Sequence, residues 1–329
     1  MIDLRKRSFL KIEDYSTEEL RYLLDLAKEF KKKKKKREPH EYLKGRTIAL
    51  IFEKTSTRTR CSFEVAAYDL GMNTTYLNSS ASQLGNKESV FDTANVLGRI
   101  YDGIEFRGFK QESVEILAKY AGVPVWNGLT DYCHPTQVLA DFLTMEENFG
   151  HLKGLNLVYI GDARNNISNS LMIMSAKMGV NFTSIAPKEL WTSKEVVAKA
   201  KEKAKKTGSI IKQSADKNDL KDADAVYTDV WVSMGEPDEL WKKRINLLKN
   251  YQVNKKTFAL AKDTAIFLHA LPSFHDTNTS IGQDIYKKYK LKAMEVTDDV
   301  FLSKQSKVFD ESENRMHTIK AVIYATMKD

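Results

Sequence analysis

The chain has 329 residues, 42% of them hydrophobic and 29% charged, which is enough to bury the cores of about two domains. Its net charge is +8, but the run "KKKKKKR" at 31–37 supplies seven of these charges and leaves +1 for the rest, so no basic face for nucleic acid is expected. No apolar run approaches the roughly 20 residues of a membrane span, the first residues lack a signal-peptide stretch, and two cysteines do not make a disulfide framework, so we expect a cytoplasmic protein.

The first predicted helix, "TEELRYLLDLAKEF", leads into the lysine run. Positive charges suit the carboxyl end of a helix because the helix dipole is negative there. We interpret 31–37 as a solvated surface run, and the alternative is an arm that binds a polyanion.

A turn rich in hydroxyls and arginines follows the first predicted strand. "TIALIF" (47–52) is typical of a buried strand, and "RCSFEVAAYDLG" (60–71) has a helical period that ends at Gly71. The first N–H groups of a helix lack partners and the dipole is positive there, while hydroxyl and guanidinium groups add donors that fit a phosphate. We therefore predict an anion site made by Ser56, Thr57, Arg58, Thr59 and Arg60. The alternative is an ordinary helix cap with solvated arginines.

Strand-like and helix-like segments alternate along the rest of the chain. The apolar runs are "TTYLN", "GIEFR", "VPVWN", "LNLVYIG", "NFTSIA", "DAVYTDV" and "AIFLHAL", and helical patterns lie between them. This alternation predicts an α/β fold with parallel sheets. A domain boundary is expected near residue 150, where one helical pattern ends and a new strand–turn–helix unit begins. The last segment, "NRMHTIKAVIYATM", is helical in pattern and could pack on either half.

Polar side chains follow the predicted strands at their carboxyl ends, where parallel sheets bind ligands. The first half of the chain contributes a set that suits an anion: Arg58, Arg60, Arg107 and His134. The second half contributes a set that can hold an amino group and a carboxylate: Asn165, Asn166, Asp229, Ser233, His275 and Asp276.

Motifs for cofactors and metals are not found in the sequence. "GDARNN" lacks the G-x-G-x-x-G spacing of a dinucleotide turn, and no Walker A sequence occurs. His269 and His275 have no partner at metal-ligand spacing. Cys133 and His134 would point to opposite faces of an extended segment, so they do not make a nucleophile pair. We expect neither a cofactor nor a metal.

The order of the motifs carries a family resemblance. "STRTR", "HPTQ", "DVWVSMG" and "LHALP" resemble the aspartate/ornithine carbamoyltransferase superfamily, and "GDARNN" and "SMGE" point to its ornithine branch. The likeness extends over nearly the whole chain, to "ENRMHTIKAV". It implies two domains, each a parallel sheet flanked by helices, joined by inter-domain helices. Residues 1–150 would bind carbamoyl phosphate, with the C-terminal helix of about 315–329 packed back on them, and 151–314 would bind ornithine.

The resemblance also implies roles for individual residues. Those expected to bind carbamoyl phosphate are Ser56, Thr57, Arg58, Thr59, Gln83, Arg107, His134, Gln137, Leu271 (through its carbonyl) and Arg315. Those expected to hold ornithine are Asn166, Asp229, Ser233 and Met234. Gln83 would reach the site of a neighbouring subunit, which implies a homotrimer or a larger assembly of trimers.

The implied reaction converts carbamoyl phosphate and L-ornithine to L-citrulline and phosphate. Carbamoyl phosphate is a mixed anhydride and is already activated, so neither ATP nor a metal is needed. The neutral δ-amine attacks the carbonyl carbon, and the catalytic residues Arg107, His134 and Thr59 would stabilise the charge on the carbonyl oxygen. Because such an amine has a reference pKa of roughly 10.4, we expect activity to rise through alkaline pH. No nucleic acid or membrane partner is expected.

One residue departs from the family pattern. The family usually has "HCLP", and this chain has "HALP" with Ala270 at the cysteine position. The cysteine lies beside the ornithine amine in the family, so alanine removes that contact. We expect weaker ornithine binding; the alternatives are another amine, such as putrescine, or a carbamoyl phosphate-binding relative with little turnover. The sequence leaves open whether the reaction builds arginine precursors or runs backwards.

Overall fold

The computed structural model describes residues 2–78, 87–232, 236 and 239–328. The chain divides into two compact units, Met1–Leu143 with Ser312–Asp329 (unit 1) and Thr144–Glu311 (unit 2). Both divisions fall inside helices, one within Pro135–Phe149 and the other within Val308–Met327. Among the described residues, no helix combines the length and the apolar character that crossing a membrane requires.

Unit 1 is built on a four-stranded parallel sheet with the order β2-β1-β3-β4. The strands are β1 (Thr47–Phe52), β2 (Asn73–Asn78), β3 (Gly103–Arg107) and β4 (Val125–Leu129). The helices up to the first division are α1 (Thr17–Lys35), α2 (Thr57–Asp69), α3 (Val90–Ile100), α4 (Gln111–Tyr120) and the first part of α5 (Pro135–Phe149). The chain passes from β1 outward to β2 and then returns to β3 on the other side. The connections therefore diverge between β1 and β3, and a crevice is expected at the carboxyl ends of these strands.

Unit 2 contains a five-stranded parallel sheet with the order β7-β6-β5-β8-β9. The strands are β5 (Asn156–Ile160), β6 (Asn181–Ile185), β7 (Ile211–Ser214), β8 (Ala225–Thr228) and β9 (Ile266–His269). The helices are α6 (Asn166–Met178), α7 (Lys194–Thr207), α8 (Leu240–Leu248), α9 (Lys255–Phe258), α10 (Ser280–Tyr289), α11 (Asp298–Phe301) and the first turn of α12 (Val308–Met327). Here the connections diverge between β5 and β8. The prediction of two parallel sheets flanked by helices is confirmed.

Two elements differ in extent from the sequence prediction. β7 was not predicted because "IKQS" is short and half polar, and it forms the edge of its sheet, where Lys212 faces solvent. α2 begins at Thr57 rather than at residue 60, since the hydroxyl of Ser56 caps it by accepting a hydrogen bond from the Thr59 N–H. The hydroxyl-and-arginine turn is therefore the first turn of the helix itself.

Apolar side chains cover each sheet. The core of unit 1 includes Ala49, Ile51, Ile104, Phe106, Val114, Leu117 and Val125. The core of unit 2 includes Val158, Ile160, Ile185, Val226, Phe267, Val296 and Val300. Burying such residues releases ordered water and contributes about 1.5–3 kcal/mol for each large side chain.

Trp126 anchors the end of α12 to the sheet of unit 1. This β4 residue is fully buried, and its Nε1 donates a 3.0 Å hydrogen bond to Thr326 Oγ1. The backbone of Phe9, which precedes α1, bridges to the same residue. The last turns of α12 and the first residues of the described chain are thus held against one strand.

The lysine run is only partly solvated. α1 extends to Lys35 and begins with a capping box between Ser16 and Glu19. Lys31 is buried, and its Nζ donates a 2.7 Å hydrogen bond to Asn314 Oδ1 on α12. Lys34 pairs with Asp69 at the end of α2, at 2.7 Å. The interpretation as a solvated run is therefore wrong for Lys31 and holds for the outward-facing members.

Candidate active site

The first turn of α2 presents hydrogen-bond donors at the crevice between β1 and β3. The Ser56 hydroxyl accepts the Thr59 N–H at 3.3 Å, which fixes the turn. Thr57 is exposed, and Arg58 is half-buried. Burial lowers the pKa of Arg58 from its ordinary value. A guanidinium group nevertheless stays charged in proteins at neutral pH. The positive end of the helix dipole adds to this charge.

Arg60 does not join this group, contrary to the prediction. Its Nε donates to Glu64 Oε1 at 2.9 Å, and its guanidinium carbon lies 3.9 Å from the ring centre of Tyr76. Arg58 and Arg60 are two residues apart on a helix with 3.6 residues per turn, so they point in nearly opposite directions. An ion pair and a ring contact hold Arg60 on the other face.

The Thr59 hydroxyl is the meeting point of three elements. Arg107 at the end of β3 donates from Nη1 at 3.2 Å, and Arg315 on α12 donates from Nη2 at 2.7 Å, both to Thr59 Oγ1. A hydroxyl has two acceptor positions and one proton. Because the two guanidinium groups occupy both acceptor positions, the Thr59 proton is left to be donated to a third group.

Arg107 keeps a donor for a further partner. Burial lowers the pKa of Arg107 to about 10, with Glu105 opposing and Arg58 adding to this effect, so the group is charged at neutral pH. Its buried Nε donates to no acceptor in the described part of the chain. A buried guanidinium N–H without an acceptor costs free energy, which a bound anion would recover.

His134 immediately precedes α5 and is a neutral imidazole. It is almost fully buried, and burial, followed by the charges of Arg315 and Arg107, holds the pKa of His134 well below its usual range. Its Nδ1 lies 3.4 Å from Thr136 Oγ1. The neighbouring Gln137, in the first turn of α5, donates from Nε2 to Asp141 Oδ1 at 2.8 Å.

In unit 2, the crevice between β5 and β8 brings an amide and a carboxylate together. Asn165 caps α6 by accepting the Ser168 N–H at 2.8 Å, and its Nδ2 donates to Asp229 Oδ2 at 3.2 Å and to the Tyr159 hydroxyl at 2.8 Å. Asn166, which was predicted to bind ornithine, is the first residue of α6 and is half-buried. The adjacent Asn165 is the residue that contacts Asp229.

Asp229 carries a strongly shifted carboxyl group. Burial raises the pKa of Asp229 to about 7, and the charges of Glu295 and Asp162 act in the same direction. The charge of His269 and the Val230 N–H, which donates to Asp229 Oδ1 at 2.9 Å, oppose the shift. The group therefore changes its charge near neutral pH.

A buried ion pair supports the segment that contains Ala270 and Leu271. His269 Nε2 lies 3.1 Å from Glu295 Oε1, and its Nδ1 lies 2.9 Å from the Ala270 carbonyl oxygen. Burial acts against the charged imidazole, but the hydrogen bond and charge of Glu295 raise the pKa of His269 overall. The same Glu295 oxygen accepts the Phe274 N–H at 2.7 Å. The two ring nitrogens of His269 thus fix the end of β9, which Ala270 and Leu271 follow directly.

A second polar cluster lies further along unit 2. His275, Asp276 and Asp298 bring possible ligand atoms within 4.8 Å of one another, which their sequence spacing did not indicate. His275 Nδ1 lies 2.7 Å from Asp298 Oδ1, and its ring stacks on Phe301. This geometry is that of a hydrogen-bonded histidine–aspartate pair on an aromatic ring.

Three predicted residues, Gln83, Ser233 and Met234, lie outside the described residues. Sequence reasoning also missed residues that the fold brings to the two crevices. Tyr159 and Glu105 were not predicted, because both lie inside strands rather than at strand ends, although the twofold alternation of a strand puts Glu105 on the same face as Arg107. That alternation was the available signal.

Comparisons with known proteins agree over the whole chain. The carbamoyl-P binding domain of aspartate/ornithine carbamoyltransferase matches residues 7–147, and the Asp/Orn binding domain matches residues 153–326. The catabolic ornithine carbamoyltransferase of Treponema denticola is 62% identical over 326 residues, covering 99% of this chain and 96% of that protein. That of Staphylococcus aureus strain N315 is 57% identical over 327 residues, covering 99% and 97%. The structure of ornithine carbamoyltransferase from Pyrococcus furiosus superposes with a TM-score of 0.91 at 41% identity, covering 99% of each chain.

Proposed function

This chain belongs to the aspartate/ornithine carbamoyltransferase family and is a carbamoyltransferase, and from that premise we propose that it transfers the carbamoyl group of carbamoyl phosphate to the δ-amine of L-ornithine. The products are L-citrulline and phosphate. The names of the relatives from Treponema denticola and Staphylococcus aureus support ornithine as the acceptor.

The observation that carries the proposal is the Thr59 hydroxyl with its two guanidinium donors. The hydroxyl proton is left for the carbonyl oxygen of the carbamoyl group, on which negative charge develops when the amine attacks. Donors fixed in advance at this position stabilise the transition state without having to reorganise. Arg107 and the neutral imidazole of His134 supply further N–H groups, and we propose all three residues as catalytic.

The phosphate is proposed to lie at the first turn of α2. Ser56, Thr57 and Arg58 would bind its oxygens together with the backbone N–H groups of the helix start. Arg107 and Arg315 would hold the phosphate as it leaves, because a guanidinium group can donate two parallel hydrogen bonds to phosphate oxygens. Gln137 and the carbonyl of Leu271 are proposed to contact the carbamoyl amide.

Ornithine is proposed to bind at the crevice of unit 2. Ionised Asp229, held by Asn165, would accept the α-ammonium group. Asn166, Ser233 and Met234 are proposed to complete the contacts to the amino acid. A carboxylate placed for an α-ammonium group favours ornithine over putrescine, which has no α-amino acid group.

The decisive experiment measures citrulline formed from carbamoyl phosphate and L-ornithine by the purified protein. Putrescine in place of ornithine is the matched comparison. We expect citrulline and no carbamoylputrescine. Tight binding of carbamoyl phosphate without product from either amine would instead indicate a binding protein with little turnover.

The effect of Ala270 is tested by Ala270→Cys. We propose that alanine weakens ornithine binding, because the family cysteine contacts the substrate amine. The variant should lower the KM for ornithine and leave the KM for carbamoyl phosphate unchanged. An unchanged ornithine KM would mean that other contacts already compensate.

We also propose a homotrimer in which Gln83 completes the site of a neighbouring subunit. Gln83→Ala and Arg107→Ala should each be inactive alone. Mixed trimers would contain some sites with both residues intact, so mixing the two unfolded variants and refolding them together should restore part of the activity. No recovery from mixtures that do form trimers would place Gln83 in its own subunit's site.

The direction in the cell is proposed to be catabolic, as in the names of the two bacterial relatives. Phosphate would then attack the carbamoyl carbon of citrulline, forming carbamoyl phosphate and releasing ornithine as the bond to the δ-nitrogen breaks. Loss of the gene should stop ornithine release from citrulline without creating a requirement for arginine. An arginine requirement would indicate the biosynthetic direction.

A further inference from the structure

Glu105 carries a fully buried carboxyl group in unit 1. It lies in the middle of β3, its relative exposure is 0%, and neither Oε1 nor Oε2 has a hydrogen-bond partner among the residues that the structure describes. Strand alternation directs it to the same face as Arg107, two residues later. The strand therefore points a carboxyl group toward the region that holds the arginines of the candidate site.

An irregularity in the neighbouring strand makes room for this side chain. Phe106 pairs with Asn127 and Arg107 pairs with Leu129, so Gly128 is an extra residue on β4. A Cβ added at Gly128 would lie 2.0 Å from Glu105 Oε1 and 3.1 Å from Thr59 Cγ2. The carboxyl group thus occupies the space that the glycine leaves, close to the Thr59 side chain.

The charges around Glu105 come from several elements. Arg107 lies on its own strand, and Arg315 lies on α12; Arg58 on α2 and His134 before α5 in turn interact with these arginines. The two guanidinium groups favour a carboxylate at Glu105, but each directs a donor to Thr59 and neither donates to a Glu105 oxygen. A carboxylate that is fully buried and accepts no hydrogen bond is far more costly than the uncharged acid.

We infer that Glu105 is held as the uncharged acid beneath the anion site, so that Arg107 and Arg315 stay directed at Thr59 and at the phosphate of the carbamoyl donor. This inference rests on the proposed function for the identity of that donor. If Glu105 ionised, it would compete with Thr59 and with the phosphate for the same two guanidinium groups.

The electrostatic balance agrees with the geometry. Burial raises the pKa of Glu105 well above its ordinary value, and Arg107 and then Arg315 act in the opposite direction without overcoming it. A bound phosphate would neutralise part of the arginine charge and so raise the pKa of Glu105 further. Donor binding and protonation of Glu105 therefore reinforce each other, and ionisation at alkaline pH should weaken donor binding.

The direct test is infrared difference spectroscopy of the full chain at neutral pH. Subtracting the spectrum of Glu105→Gln from that of the wild type should show the carbonyl stretch of a protonated carboxyl group. The matched control is Glu115→Gln on α4, where the half-exposed Glu115 pairs with Lys11 at 3.0 Å, so its difference spectrum should show carboxylate bands instead. Carboxylate bands for Glu105 would overturn the inference. If Glu105→Gln does not fold, Glu105→Met, which is similar in size and uncharged, replaces it in the same subtraction.

The second test measures the affinity for inorganic phosphate by calorimetry. At neutral pH, Glu105→Gln should bind like the wild type, because one uncharged group replaces another. At alkaline pH the affinity of the wild type for phosphate should fall below that of the variant. If the variant binds phosphate about tenfold or more tightly at neutral pH, the equivalent of one pKa unit or more, then Glu105 was ionised and the inference fails.

A failure to make citrulline would reject the proposed function, whereas the infrared spectrum would still report the state of Glu105.

Discussion

Arg315 donates a 2.7 Å hydrogen bond to Thr59 Oγ1 across 256 positions of sequence. The bond connects the last helix of the chain to the first turn of α2. Together with the bond from Arg107, it fixes the direction in which the Thr59 hydroxyl can donate. The candidate site of unit 1 therefore depends on a donor that is added when the C-terminal helix packs.

Thr59→Val should remove the directed hydroxyl while keeping the side-chain shape. We expect kcat to fall by about 10²–10³-fold, the usual effect of losing one donor to a developing oxyanion. Thr59→Ser keeps the hydroxyl and should retain most of the activity. Citrulline assays of both variants, with melting curves to check the fold, make the comparison. Equal losses in both would assign Thr59 to packing rather than to the chemistry.

Arg58→Ala should weaken binding of carbamoyl phosphate by roughly 10–100-fold, since a hydrogen bond to a charged group contributes about 1.5–3 kcal/mol. Arg60→Ala is the matched control, because Arg60 is held by Glu64 and Tyr76 on the opposite face. Its donor affinity should not change. Calorimetry measures the affinity of each variant for carbamoyl phosphate, and a comparable loss in Arg60→Ala would contradict an anion site at the first turn of α2.

Asp229 should make amino acid binding dependent on pH near neutrality. Burial raises the pKa of Asp229 to about 7, and only the ionised form attracts an α-ammonium group. Affinity should therefore increase as the pH rises from 6 to 8. L-Norvaline keeps the α-amino acid end and lacks the δ-amine, so its inhibition constant isolates this effect from ionisation of the attacking amine. Asp229→Asn should bind norvaline weakly at every pH; a pH profile equal to the wild type would exclude Asp229.

The same group should lower stability at neutral pH. An aspartate in the unfolded chain ionises near pH 4, whereas burial raises the pKa of Asp229 in the folded protein to about 7. Between these values the folded state keeps a proton that the unfolded state has lost, so the free energy of unfolding falls as the pH rises. Asp229→Asn should therefore melt at a higher temperature than the wild type above pH 7, with a smaller difference near pH 4.

The periodicity of the sequence predicted most of the strands and helices. Strand and helix periods predicted the parallel sheets. Because parallel strands end at one edge of a sheet, Thr59, Arg107 and Asp229 were correctly placed at strand ends or in the turns that follow them. Contacts over long sequence separations, such as Asn165 with Asp229, depend on the order of strands in the sheet, which no local pattern contains. The direction of Arg60 follows from helical phase, because residues two apart on a helix point to nearly opposite faces.

The lysine run shows the same limit. Leu20, Leu24 and Ala27 are buried on α1, and continuing their helical period by four residues reaches Lys31. The charge of Lys31 suggested that its side chain is exposed to solvent, whereas the helical period indicated that it is buried. The period was the better guide, because Asn314 satisfies the ammonium group inside.

Asp69→Asn should destabilise the protein through Lys320. Lys320 is fully buried on α12 and donates to Asp69 and to His40 Nε2. Removing the carboxylate leaves a buried ammonium without its counter-charge, which costs about 3–5 kcal/mol. The half-exposed Lys34, which pairs with the same Asp69, provides the control, because Lys34→Gln should cost only about 1 kcal/mol or less. Urea unfolding compares the two, and similar losses would mean that Lys320 does not depend on Asp69.

The position of Trp126 gives this chain a built-in fluorescent reporter. Of the four tryptophans, Trp126 alone belongs to unit 1, while Trp191, Trp231 and Trp241 belong to unit 2. The Trp126 indole is bonded to Thr326 on the last helix, so its emission changes when that helix detaches. In a variant with phenylalanine at the other three positions, Trp126 fluorescence would report the melting of unit 1 separately from the loss of structure in the rest of the chain.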